Sequence, residues 1–278
     1  MARIDTKVTH GIGGHADTVF LRVLSDLNGL KIIRAHSRHS LTKKKSVPFC
    51  TSGVHRVYTI LDEPKPPWDN TPNNPRNAWV SALDIACSNG WAGGTSSIED
   101  AAGRITQAIY NSGRFQYDSN GGGRSFYTPN NFDLTSWIGR INGNYGNGEL
   151  VNCWDCANGV VSLSNILGCD LWNQWVGEAF ECNAISAIKD QSWGKPFGWG
   201  FGYHRMGWRG PENETGKVFD ACLKVTGGTI PTDMLFGTGS AGSGYKFLLV
   251  APGSYNSCNP NGTATGVQIP RQRRDPIQ

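Results

Sequence analysis

Val151-Asn152-Cys153-Trp154-Asp155-Cys156-Ala157-Asn158-Gly159-Val160-Val161 is the stretch on which the reading of this chain turns. Ala157, Val160, Val161, Ser164 and Leu167 fall on one helical face, Gly168 is a natural stop, and Asn152 is a side chain able to cap the start. The spacing predicts a helix that begins at Cys153, with one thiol in its first turn and Cys156 beside the apolar face. His204 follows Cys153 by 51 residues, Asp220 follows His204 by 16, and after residue 55 the chain has no other histidine. A thiol attacks as thiolate, which the partial positive charge of a helix N-terminus and a neighbouring imidazolium both favour. Cys153 has the first by position and can take the second from His204. Cys156, packed beside Ala157 and Val160, is expected to be inert, because apolar burial disfavours the thiolate. Asp220, in Val218-Phe219-Asp220, can orient the imidazole and stabilise its charged form.

Outward from this motif, residues 1–62 read as a β-rich N-terminal module. Its apolar and β-branched runs are Thr18–Leu24, Leu30–Ala35 and Val54–Leu61, with Asn28-Gly29 as a hairpin turn. A proline-rich stretch over 63–75 reads as a linker, and 76–278 as the main domain. In that domain Asn74 and Pro75 are set to open one helix carrying Ala78, Trp79, Ala82, Leu83 and Ala86. Ser96-Ser97-Ile98-Glu99 reads as a capping box for a second helix that Gly113 can end. After residue 200 the pattern is of strands, over Gly200–Met206, Lys217–Val225 and Tyr245–Val250. Helices first and strands second make an α+β domain.

Composition excludes several classes. The chain has 278 residues, enough for a closed core, and a net charge of +4. Its basic runs, Lys43-Lys44-Lys45 and Arg271-Gln272-Arg273-Arg274, are short, and no broad basic face with interleaved aromatics predicts nucleic-acid binding. No apolar run is long enough for a membrane span, and the N-terminus lacks an apolar signal-peptide core. The expectation is a cytoplasmic protein or one exported by a non-classical route. The eight cysteines are expected to be reduced thiols. Cys153 and Cys156 with Cys169 and Cys182 make a poor zinc site, since ~15 Å of helix would separate the first pair from Cys169. No metal or cofactor is expected. The other histidines, 10, 15, 36, 39 and 55, and the glycine runs at 11–14 and 121–123 read as surface and turn.

The motif Asn152-Cys153-Trp154-Asp155-Cys156-Ala157 at a helix start, with His204 on one strand and Asp220 in Val218-Phe219-Asp220 on the next, resembles the transglutaminase-like core of the papain-type cysteine enzyme superfamily. The resemblance covers roughly residues 75–225. It implies a helix-plus-antiparallel-sheet core with Cys153 as nucleophile, His204 as base and Asp220 as third member. It also makes the Trp137 indole a candidate oxyanion donor, beside the backbone N–H of Cys153. The chain departs from the family in having Arg205-Met206-Gly207-Trp208 after His204 and Asn152 before the nucleophile.

The function expected is therefore acyl transfer through a thioester at Cys153, on amide bonds of a protein or peptide. Trp199, Tyr203 and Trp208 are candidates for the walls of the substrate groove. Glycines at 198, 200, 202 and 207 favour an open approach, and no acidic residue follows His204 to hold an amine, so hydrolysis is expected over transfer. The alternatives are a protein cross-linking transglutaminase and, from another class, a non-catalytic binding module on the same fold.

Overall fold

The computed structural model describes residues 58–68, 78–119, 126–190, 192–225, 228–237, 244–260 and 272–278, and the backbone alone of 32–35, 55–57, 70–71 and 74–75. The strand expected over 18–24, the Asn28-Gly29 turn, His10, His15, His36, His39, the lysine run at 43–45, Cys50, Arg271 and both glycine runs lie outside these residues. Two short strands precede the domain, β1 (Ile32–Ala35) and β2 (His55–Tyr58), paired antiparallel. The helices are α1 (Val80–Ala86), α2 (Ile98–Asn111), α3 (Leu134–Ile141), α4 (Cys153–Asn165) and α5 (Tyr245–Leu249). The main sheet is built of β3 (Trp172–Val176), β4 (His204–Arg209), β5 (Lys217–Phe219), β6 (Met234–Leu235) and β7 (Gln272–Arg273). Its order is β6-β5-β4-β3-β7, antiparallel throughout. With 28% of residues in helix and 21% in strand, four of the five helices preceding the sheet, the class is α+β.

Helix α4 starts at Cys153 with Asn152 as its cap, as the sequence predicts. The Asn152 side chain accepts from the Asp155 N–H at 2.9 Å, and the Asp155 carboxylate returns a bond to the Asn152 N–H at 3.3 Å. Asp155 also accepts from the N–H groups of Phe126 and Tyr127, at 3.0 and 3.1 Å, tying a loop across the helix start. The helix is not amphipathic in place. It packs on α1 and α2 on one side and on β3 and β4 on the other, and all but one of its residues are buried. Buried polar side chains on it therefore need partners. Asn158 donates to Thr128 and Asp275 and accepts from Asn173, while Asn165 donates to the carbonyls of Pro66 and Leu171.

Two glycines permit these close approaches. A Cβ at Gly207 on β4 would meet Val160 Cγ1 at 3.0 Å, so the sheet can reach α4 only without one. A Cβ at Gly159 would lie 2.5 Å from the Trp137 ring, which α3 presses into the flank of α4.

Several boundaries differ from those expected. The described part of the proline-rich stretch packs along the C-terminal half of α4: Lys65 N–H donates to Asn165 O, and Trp68 Nε1 donates to Ser162 O at 2.7 Å. Asn74 and Pro75 pair with Thr71 and Asn70 as a small antiparallel ladder, so α1 begins later, at Val80. The cap of α2 is Ser97, one residue further on, because its side chain accepts from Asp100 N–H. Tyr245–Leu249 is a turn of helix instead of a strand. Tyr245 and Leu249, four apart, are its buried residues, and Val250 bridges to Cys182. Among the described residues no helix is long and apolar enough to cross a membrane.

Gly159→Ala is expected to destabilise the protein by about 1–3 kcal/mol through overpacking against Trp137. Urea denaturation checks this; an unchanged midpoint would show that Trp137 can withdraw without loss.

Candidate functional site

The N-terminus of α4 opens into a cleft of about 640 Å³. Cys153, Asn152, Tyr117, Phe197, Trp199 and Tyr203 line it, with Lys195 among them. Three local features bring these residues together. The parallel pairing of Gln116–Tyr117 with Leu150–Val151 sets Tyr117 beside the helix start. The antiparallel pairing of Phe180–Glu181 with Gly200–Phe201 anchors the segment that carries Phe197 and Trp199. Phe197 itself has φ of 55°, a left-handed conformation that costs a non-glycine residue energy. Its ring is held against Tyr117 and Phe201, at centroid distances of 6.4 and 6.0 Å.

All seven described cysteines are free thiols and buried, and Cys153 alone lines the cleft. His204, at the first position of β4, is fully buried, and its ring lies tilted against Phe201 with centroids 4.6 Å apart. Its Nε2 lies 2.7 Å from Asp220 Oδ2. Burial acts to lower the imidazole, but the charge and hydrogen bond of Asp220, then the Cys153 thiol, outweigh it and hold the ring up at about 10. The Cys153 thiol is thus near enough to influence the ring, while Nδ1 has no hydrogen-bond partner. Since Nε2 is taken by Asp220, Nδ1 is the nitrogen left open.

Asp220 is the most heavily bonded group of the site. Oδ2 accepts from the Tyr245 hydroxyl at 2.5 Å as well as meeting His204. Oδ1 accepts from the Cys222 N–H at 2.9 Å and from its thiol at 3.0 Å. Burial alone would raise this carboxyl; the His204 charge and the donated bonds reverse that and hold it below its ordinary value. The Tyr245 phenol is pushed well up, first by burial and then by the Asp220 charge, so it stays protonated and donates. Burial likewise raises Cys156 and Cys222. Ligand atoms of His204, Asp220 and Cys222 lie within 4.8 Å of one another, and both oxygens of Asp220 are already engaged by these donors.

The structure bonds His204 to Asp220, with Cys153 near enough to influence the ring, and sets Trp199 and Tyr203 on the cleft. It places two other expected residues elsewhere. Trp137 is in the core, stacked on Phe115 at 4.0 Å and edge-on to Tyr127, with its indole N–H closed in against Gly159. It does not line the cleft, because Gly159 opens a slot for the ring beside α4. Trp208 is also fully buried, packed on Phe236, with Nε1 donating to Pro211 O at 3.1 Å. Sequence reasoning missed Tyr245, Cys222, Tyr117 and Phe197. Cys222 had a local signal, as the second residue after Asp220; Tyr245 had none, since only the tertiary fold delivers it.

The chain matches no protein-family model, no curated protein and no solved structure.

The His204–Asp220 pair carries a pH signature. The raised imidazole contributes stability that is whole below its ordinary 6.5 and is lost as pH climbs to about 10. The lowered carboxyl contributes above its ordinary 3.8 and loses this as pH falls further. The difference in unfolding free energy between the wild type and His204→Gln, from urea titrations, is expected to shrink steadily from about pH 6 to about pH 10. A difference that stays level or grows over that range would show that the ring is not held protonated by Asp220.

Proposed function

We propose that the protein is a cysteine acyl-transfer enzyme that hydrolyses amide bonds of a protein or peptide, built on a transglutaminase-like core. One observation carries this reading: the buried His204–Asp220 pair stands beside Cys153, the single cysteine that lines the cleft. The Cys153 sulfur, as thiolate, adds to the amide carbonyl carbon, and the carbonyl oxygen takes the electron pair. The backbone N–H of Cys153, at a helix start without an intrahelical acceptor, is available to that oxyanion. The C–N bond then breaks, and protonated His204 gives its proton to the leaving amine. Water adds to the resulting thioester with His204 accepting its proton, and collapse releases the carboxylic acid and the Cys153 thiolate, with His204 protonated again. Asp220 holds the ring by Nε2, leaving Nδ1 toward sulfur, and balances its charge.

The cleft is within the volume range of small-ligand sites, and its walls from Tyr117, Phe197, Trp199 and Tyr203 suit an extended chain with apolar side groups. Trp199, 43% exposed, stands open to solvent. Water therefore reaches the thioester, which favours hydrolysis over transfer to an amine.

Cys153→Ala is expected to fold and to lose turnover by at least about a thousandfold. Cys156→Ala is expected to keep turnover while losing about 1 kcal/mol of stability from its cavity. A low dose of iodoacetamide at about pH 6 is expected to label Cys153 before any other thiol. Turnover retained in Cys153→Ala would overturn Cys153 as the nucleophile, and equal labelling of all thiols would favour a binding module instead. Offered a reactive peptide with a millimolar primary amine, the enzyme is expected to give mainly free acid by mass spectrometry. Predominant amine adduct would make it a transglutaminase.

A further inference from the structure

Arg205 is a buried charge that this chemistry leaves unused. It follows His204 on β4 and is 1% exposed, and its Nε has no hydrogen-bond partner. One terminal nitrogen donates to Asn173 Oδ1 at 3.1 Å, and its guanidinium carbon lies 4.5 Å from the centroid of the Trp154 ring. Among the described residues no carboxylate forms an ion pair with it. Asp275 acts on it only through space, and is itself bonded by Arg273, by Trp154 Nε1 at 2.6 Å and by Asn158 Nδ2 at 2.8 Å. A guanidinium out of water is costly, and a neutral amide with an aromatic face offsets only part of the cost. Burial pulls the group down to about 10, against the opposing pull of Cys153 and Asp275, so it is charged at neutral pH. Stability alone gives no reason to keep a cation there.

Its place relative to the nucleophile gives one. On β4 and the residue before it, His204, Arg205 and Tyr203 each lie near enough to feel Cys153. Tyr117 and Cys222 on other elements feel it as well, and so does Cys156 on its own helix. Of these only His204 and Arg205 are cations; Arg273 also lies over the Trp154 ring, at 5.0 Å, but is paired with Asp275, and Lys195 is on the cleft wall. The nearby anions are already balanced: Asp220 by His204, and Asp155 by three backbone N–H groups. His204 must give up its proton to the leaving amine during turnover; Arg205 never does. Trp154, whose ring meets the guanidinium, is the residue next to Cys153 in α4.

We propose that Arg205 is a positioning residue of the acyl-transfer site, a permanent positive charge held against Trp154 that favours the anionic sulfur of Cys153 and steadies the negative charge developing on a bound carbonyl oxygen. This rests on Cys153 as nucleophile. Asn173, Asn158 and Asp275 fix the guanidinium and Trp154 through one continuous hydrogen-bonded chain.

The test is the pH dependence of iodoacetamide alkylation at Cys153, read by peptide mass spectrometry in the full chain, with circular dichroism confirming the fold. Arg205→Gln is expected to move the midpoint up by about one pH unit, a tenfold loss of reactive sulfur below it. Arg205→Lys is expected to restore most of that shift. Asp275→Asn, which removes the anion opposing Arg205, is expected to move the midpoint the other way. A folded Arg205→Gln protein with the wild-type midpoint overturns the proposal, since a purely structural role would lower the melting temperature and leave the midpoint in place. Should Arg205→Gln fail to fold, an Asp275→Asn midpoint that is unmoved or raised overturns it instead. Wild-type protein labelled at thiols other than Cys153 would bring down the acyl-transfer reading itself, an outcome distinct from both.

Discussion

The burial of helix α4 on every side sets the terms for the rest of the structure. A helix enclosed between α1 and α2 and the sheet must satisfy each polar side chain it carries, and Asn158, Asn165 and Asp155 each do so with partners far away in sequence. Those bonds hold the loop at 126–127, the stretch at 63–68 and the C-terminal residues around Asp275 onto one rod. The N-terminal end of the rod faces the cleft, and that end presents Cys153. The capping pair Asn152 and Asp155 settles where the helix begins, and so where the thiol stands.

Two charge pairs surround that end, and they differ in kind. His204 and Asp220 are both fully buried and bonded directly, and each shifts the other toward its charged form. Tyr245 and Cys222 add donors to the carboxylate, so its remaining lone pairs are not left bare in a low-dielectric interior. Arg205 and Asp275, by contrast, share a network through neutral amides and an indole without direct contact. The first pair is joined directly, the second only through the neutral groups between them.

Much of this was legible in the chain. The start of α4, its Asn152 cap and its end near Gly168 follow from local chemistry: a capping side chain, helical spacing of apolar residues and a glycine with φ of 89°. The lone C-terminal-half histidine and the acidic residue 16 positions on were legible as partners, because few other residues could serve. The α+β class followed from helical spacing before residue 170 and strand-like runs after 200.

Other features had no local signature. Whether Trp137 serves a cleft or a core depends on the absence of a Cβ at Gly159, 22 residues away, which opens the slot that the ring fills. Tyr245–Leu249 reads as a strand by composition, yet docks as a helical turn because Tyr245 reaches Asp220 and the two buried residues lie four apart. The proline-rich stretch reads as a linker by composition, and becomes part of the core because Trp68 and the Lys65 N–H find acceptors on α4. Local spacing determined where α4 starts and which residues could stand beside its first thiol. Only tertiary packing decided which side chains line the cleft, which donors bind Asp220 and where a buried arginine comes to lie, since each depends on contacts between residues distant along the chain.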